Sequence, residues 1–211
     1  MIKQKYESLK ELTFKKIEQK YLPLLEKFKT TQKDLKDFLI EDALKSQEMF
    51  ISTTYLIFDA EEERISRENP KYLNLLGYVT ILNDSISLNT KMKQLFREKG
   101  INYRSLPALK IGRLCVDQEF ERRGIGKLMV AFCIEKACLL NEQISCRFIT
   151  LDAKRDKDKN KDSLHFYGKI GFIILDHKEK SEVDLRKQTN GTTPMYLDLF
   201  HIIKSKVTTS G

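Results

Sequence analysis

The run Glu121-Arg122-Arg123-Gly124-Ile125-Gly126-Lys127 constrains this chain more than any other stretch. The apolar run Ala108–Val116 before it has strand character, and Leu128–Ala137 after it reads as a helix. A glycine-bearing turn between the two fixes a β-turn-α unit. Such a turn leaves backbone N–H groups unpaired at the positive end of the helix dipole, a geometry that suits phosphate or pyrophosphate. Gly124 and Gly126 let a ligand approach the backbone without meeting a Cβ, and Arg122, Arg123 and Lys127 supply cationic flanks. The expectation is a bound phosphorylated cofactor.

With 211 residues, the chain fits one domain spanning 1–211, with a core at about 30–200 and an N-terminal helical extension at 1–29. No apolar run reaches the ~18 residues of a membrane span. The sequence Met1–Glu7 lacks the apolar core of a signal peptide, so the expected compartment is the cytoplasm. Cys115, Cys133, Cys138 and Cys146 form no C-x-x-C pair or zinc spacing. They read as free thiols in a reducing compartment, without a metal. The formal net charge of +8 favours anionic partners, such as a phosphorylated cofactor, RNA or an acidic protein tail. Much of the lysine is interleaved with acid, as in residues 154–162, and marks a solvated loop. No arginine-rich tract or aromatic platform for single strands is visible.

Apolar residues from Leu9 to Phe28 recur at helical spacing, with Pro23 bending or interrupting the run. Thr30 or Thr31 offers an N-cap to a second helix carrying Leu35, Phe38, Leu39 and Ala43. Strands are expected at Ser52–Phe58 and at Leu75–Leu82, the latter ending at the turn signal Asn83-Asp84. Asp59–Tyr72 reads as a loop, Thr90–Lys99 as a helix stopped by Gly100, and Cys146–Ala153 as a strand. A short helix over Asp162–Ile170 ends at Gly171, with strands at Phe172–Leu175 and Pro194–Leu199 and a frayed tail from Lys204. Alternating strands and helices from residue 75 onward argue an α/β fold: a mixed central sheet flanked by helices, with an extra N-terminal helix.

Three phosphate sites compete for the turn. A Walker loop needs Ser or Thr after its Lys and an upstream glycine, but Leu128 follows Lys127. A dinucleotide fingerprint needs a third glycine where Met129 stands. The block Leu114-Cys115-Val116, the turn 121–127 and Asn160-x-x-Ser163-x-x-Phe166-Tyr167-x-x-x-Gly171-Phe172 together resemble the GNAT superfamily of acetyl-CoA-dependent N-acetyltransferases. The likeness covers about residues 75–176. It departs from the family's Q/R-x-x-G-x-G/A motif at Glu121, an acid beside an expected anion.

The resemblance implies a single GNAT-type domain with acetyl-CoA as acetyl donor. Leu114, Cys115 and Val116 would line the pantetheine, one of their amides polarising the thioester carbonyl. Glu121, Arg122, Arg123, Gly124, Ile125, Gly126 and Lys127 would hold the pyrophosphate, the contacts being largely from backbone. Asn160, Ser163 and Phe166 would complete the cofactor site, and Tyr167 would protonate the departing thiolate. His165 faces away from Tyr167 and reads as structural or exposed, and Cys115 is not needed as a nucleophile.

No general base stands out near residues 108–116, although Asp117 and Glu119 are acids within reach. A lysine amine (pKa ~10.4) is almost wholly protonated at neutral pH, whereas an α-amine near ~7.7–8.0 is partly neutral. The missing base leans towards an acceptor of low pKa. A narrower likeness, carried by Gly112–Asp117, Leu35-x-x-Phe38-Leu39 and Gly77-Tyr78-x-Thr80, is to the GNAT toxins of toxin–antitoxin pairs. That likeness implies acetylation of the α-amine of aminoacyl-tRNA. A non-catalytic RNA-binding module on a GNAT scaffold is the alternative from another class. The partners left open are tRNA, an acidic protein and a second copy of the chain.

Overall fold

The computed structural model describes residues 5–66, 72–156, 162–175 and 191–209. Its strands are β1 (Leu12–Lys16), β2 (Thr53–Asp59), β3 (Gly77–Ser87), β4 (Ser105–Val116), β5 (Phe148–Lys154), β6 (Ile173–Ile174) and β7 (Thr192–Asp198). They form one sheet in the order β1-β2-β3-β4-β5-β7-β6. Helices are α1 (Leu22–Leu25), α2 (Lys33–Asp37), α3 (Ala43–Glu48), α4 (Ala60–Ile65), α5 (Thr90–Arg97), α6 (Ile125–Leu140), α7 (Ser163–Ile170) and α8 (Phe200–Thr209). A π-helical turn, Phe38–Asp42, joins α2 to α3. By internal contacts the chain divides into two compact units, residues 1–82 with 111–135 and residues 83–110 with 136–211. This is an α/β fold with a helix-flanked sheet, as the sequence implies.

In the first unit β2 pairs antiparallel with β1 (Leu12↔Asp59) and with β3 (Thr53↔Ile81). One face of these strands buries Leu56, Phe58, Tyr78 and Cys115 with Ile17, Leu25, Phe28 and Leu39. Two polar links lock that packing. The Tyr78 hydroxyl donates to the Leu35 carbonyl at 2.7 Å, and the buried Thr54 and Thr80 hydroxyls lie 2.8 Å apart. In the second unit β7 pairs antiparallel with β5 and β6. Its core holds Ile86, Met92, Phe96, Ala108, Phe148 and Leu175. Arg147 makes a bidentate pair with Asp198 at 2.7 and 2.9 Å while covering the rings of Phe96, Phe148 and Phe200.

The structure differs from the sequence reading in five places. Residues 12–16 form edge strand β1, not part of an N-terminal helix. Leu12 and Phe14 satisfy a two-residue period as well as a helical one, and Phe14 stacks on Phe132 at 4.0 Å. Pro23 opens the short α1, where its missing N–H costs nothing, instead of interrupting a longer helix. The supposed loop after residue 59 contains α4, capped by the Asp59 carboxylate at the amides of Glu61 and Glu62. Asn83-Asp84 is no turn, because β3 runs on to Ser87 and a hydrogen bond from the Thr150 hydroxyl occupies the Asp84 carboxylate. Likewise the tail from Lys204 continues α8 to Thr209.

Gly77 opens β3 where β4 passes closest. A Cβ there would meet the Cys115 carbonyl oxygen at 2.8 Å and the Val116 Cα at 3.3 Å, both backbone atoms that cannot rotate away. Gly77→Ala is expected to destabilise the protein by about 1–3 kcal/mol, which thermal or denaturant unfolding measures directly.

Candidate functional site

The turn after β4 is built on one carboxylate. Asp117, 5% exposed, accepts from the Lys29 amide (2.7 Å) and from the Glu119 amide (2.9 Å). Its own amide donates to the Leu76 carbonyl at 2.9 Å. The second of those bonds caps a 3-10 turn, Gln118–Phe120. Asp117 is therefore a structural clamp with both oxygens occupied, not an inward-facing base. Glu119 is exposed and paired with Lys29 at 2.6 Å.

Beyond this turn the chain reverses through Arg122 (φ 60°) and Gly124 (φ 87°). The left-handed conformation is ordinary for glycine and costs a residue such as arginine ~1–2 kcal/mol. In α6 the amides of Lys127 and Leu128 donate to the Gly124 carbonyl at 3.1 and 3.2 Å. The amides of Ile125 and Gly126 thus have no carbonyl behind them within the helix. The Ile125 side chain is buried, so only its backbone can serve a ligand. Arg122, Lys127 and Glu121 point into solvent.

Arg123 behaves differently from its neighbour. Its guanidinium donates to the Glu119 carbonyl at 2.7 Å and lies 4.7 Å over the Phe120 ring. Its Nε is buried without an acceptor among the described residues. Arg123 thus braces the 3-10 turn. Tyr6 fixes the same turn from the N-terminal side: its amide donates to the Arg123 carbonyl at 2.8 Å and its hydroxyl to Asp59 at 3.1 Å. Burial, followed by the charge of Asp59, pushes that hydroxyl up to about 12. A Cβ on Gly124 would collide with the Tyr6 carbonyl oxygen. Nothing in the local sequence points to Tyr6, because its contacts lie more than fifty residues away in the chain.

Cys115 is buried, with its sulfur 3.5 Å from the Thr30 hydroxyl. Burial pushes its thiol up to about 11, against a smaller lowering by Thr30, so the group is a protonated core thiol and not a nucleophile. Leu114 and Val116 beside it are half-buried.

The second block lies in the other unit. Asp162 caps α7 by accepting from the Leu164 amide at 2.8 Å, and its other oxygen accepts from the buried Arg155 at 3.0 Å. Ser163 opens the helix and Phe166 is half-buried. Tyr167 is 8% exposed, its ring edge-on to Phe166 (4.9 Å) and Phe172 (5.6 Å). Gly171 ends the helix in the left-handed conformation at φ 106°, and its amide and that of Phe172 close the last turn. His165 is exposed, as expected. Asn160 lies outside the described residues. The structure thus brings Leu114–Val116 together with residues 121–127, and Ser163 with Phe166 and Tyr167.

Residues 88–174 match the acetyltransferase (GNAT) domain family. Among solved structures, a tyrosine-to-phenylalanine mutant of KacT is similar over 92% of this chain and 96% of that one, with TM-score 0.67 and 19% identity. AtaT complexed with acetyl-methionyl-tRNAfMet is similar over 90% and 96%, with TM-score 0.66 and 19% identity. AtaTR bound with AcCoA is similar over 92% and 95%, with TM-score 0.61 and 18% identity. No curated protein matches in sequence. The chain has the fold of these structures, and its stretch 88–174 is what matches the GNAT acetyltransferase domain. Among the described residues no helix is long and apolar enough to cross a membrane.

Burial raises three thiols together, Cys115 and Cys146 to about 11 and Cys133 to about 12. The folded state therefore holds protons that the unfolded chain releases near pH ~8.5. That stabilisation is whole below the unfolded value and is lost as pH climbs through 11 to 12. The unfolding temperature should fall progressively across this alkaline window, and Cys133→Ala should flatten part of the decline in a melting-temperature series against pH.

Proposed function

We propose that this chain moves the acetyl group of acetyl-CoA to a primary amine by direct attack. The observation that carries the reading is the turn at 121–127, which gathers α6 amides without helical acceptors, the Arg123 guanidinium and two exposed cations within seven residues. These are the groups a pyrophosphate needs. Glu121 is exposed, so solvent screens its repulsion. Leu114, Cys115 and Val116 offer strand backbone to the pantetheine, and Ser163 and Phe166 support the cofactor arm. Asn160 is assigned to the same arm on the motif alone. Tyr167, its ring held between two aromatics, donates a proton to the leaving thiolate. A tyrosine of pKa ~10 is a weak acid towards a thiol of ~8.5, so positioning is its main contribution.

A specific acceptor reading is the α-amine of an aminoacyl-tRNA. It is favoured by the state of the acids beside β4: Asp117 is committed to two amides and Glu119 to Lys29. An amine that is partly neutral at pH 7 asks least of such a site. The fold likeness to AtaT, solved with acetyl-methionyl-tRNAfMet, points the same way.

Calorimetry with acetyl-CoA is the direct test, and folded protein that takes up no acetyl-CoA rules the reading out. Gly124→Ala should weaken acetyl-CoA binding by about tenfold or more, since the new methyl group meets the Tyr6 carbonyl and shifts the turn. Tyr167→Phe should lower kcat about 10²-fold with the acetyl-CoA Kd unchanged. An unchanged kcat would deny Tyr167 the acid role. Salt-dependent RNA binding by a protein inert to acetyl-CoA would instead favour the non-catalytic module.

A further inference from the structure

Tyr6 lies outside the stretch 88–174 that matches the acetyltransferase family, yet its backbone holds the candidate cofactor turn from the far end of the sequence. Tyr6, Asp59, Arg123 and Gly124 all belong to the first compact unit. Three successive amides of the Tyr6 segment are engaged. That of Tyr6 donates to the Arg123 carbonyl at 2.8 Å, and those of Glu7 and Ser8 both donate to Glu11 Oε2, at 2.8 and 2.7 Å. Ser8 in turn caps the 3-10 turn Leu9–Glu11, from which the chain passes directly into β1. The Tyr6 side chain, 5% exposed, is a second anchor, its hydroxyl donating to Asp59 Oδ2 at 3.1 Å. Asp59 is itself fixed through Oδ1, which caps α4. The segment is a strap tied to β1 on one side and to the junction of β2 with α4 on the other.

Peptide geometry determines what the strap does to the turn. A trans peptide is planar, with its C=O and N–H pointing in opposite directions. The Tyr6 amide holds the Arg123 carbonyl, so the N–H of that same peptide, which belongs to Gly124, is turned away from the strap. Flipping the peptide would set the Gly124 N–H against the Tyr6 N–H, donor against donor, and leave the Tyr6 amide without its acceptor. The Tyr6 carbonyl lies against the Gly124 Cα, where a Cβ would collide with it. Among the described residues no acceptor engages the Gly124 N–H. It joins the amides of Ile125 and Gly126, which no carbonyl of α6 engages.

We propose that Tyr6 is a positioning residue for the cofactor: by holding the Arg123–Gly124 peptide in one orientation, it aims the Gly124 amide at the diphosphate of acetyl-CoA. The proposal rests on the acetyl-CoA reading of this turn and deepens it by adding a part from the N-terminal segment. Strap and ligand share one peptide, so their engagement is linked and each strengthens the other.

The test uses the full chain and begins without ligand. The amides of Lys127 and Leu128 donate to the Gly124 carbonyl, so their hydrogen exchange, followed by NMR, reports on the turn. Tyr6→Ala removes the side-chain anchor and should speed both by about tenfold or more. Acetyl-CoA added to the wild-type chain should slow exchange of the Tyr6 amide by about threefold or more. In calorimetry Tyr6→Ala should raise the acetyl-CoA Kd by about tenfold or more, while kcat at saturating acetyl-CoA changes by less than about threefold. Tyr6→Phe keeps the ring and gives up only the Asp59 bond, and should bring Kd back to within about threefold of wild type. A merely structural role would lower the melting temperature and leave Kd unmoved. Should Tyr6→Ala not fold, the wild-type exchange measurement decides alone. Unchanged Kd in folded Tyr6→Ala, unchanged exchange at Lys127 and Leu128, or a Tyr6 amide indifferent to bound acetyl-CoA would overturn the proposal. Wild-type protein that takes up no acetyl-CoA fails the underlying reading instead, and the ligand-free exchange arm still shows whether Tyr6 sets the turn.

Discussion

The Asp117 carboxylate is the interaction on which the candidate cofactor turn depends. It takes the amides of Lys29 and Glu119 while its own amide reaches Leu76, so one residue ties the end of β4 to two distant segments. A buried carboxylate with both oxygens hydrogen-bonded is stable; one with a partner removed carries an unpaired charge in an apolar setting. The clamp therefore sets where the following turn begins. Arg123 and Tyr6 set where it ends, the first by bracing the Glu119 carbonyl and the second by holding the Arg123 carbonyl. Only between these fixed points can Arg122 adopt a left-handed conformation and the α6 amides stay open to a ligand.

This arrangement explains which parts were legible in the sequence. The Gly124-x-Gly126 turn, the Gly171 stop and the helix from Ser163 follow from local chemistry: positive φ, capping and periodicity act over a few residues. The strand Leu12–Lys16 was hidden, because Leu12, Phe14 and Ile17 fit a helical stripe when β2 is not there to pair with them. The β3 extension through Asn83-Asp84 was hidden for a similar reason. Two good turn formers remain in a strand once a partner such as Thr150 takes the Asp84 carboxylate. In the site, residue types were readable and their commitments were not. Asp117 looked like a candidate base and is a clamp, and Arg123 looked like a phosphate ligand and braces the loop through the Glu119 carbonyl and the Phe120 ring. Tyr6 carried no signal at all.

Charge is partitioned more finely than the overall +8 suggests. The turn at 121–127 presents exposed cations and amides, whereas a cavity lined by Asp84, Lys110, Thr150 and Asp152 presents an excess of carboxylate. Glu121 is tolerable because it stands exposed, where its field is screened within about 10 Å at moderate ionic strength.

The same electrostatics bear on the absent base. A site that attracts an amine through carboxylates also raises that amine's pKa, so attraction and reactivity work against each other at one nitrogen. An acceptor amine of low pKa asks for no dedicated base, which agrees with the commitments found at Asp117 and Glu119.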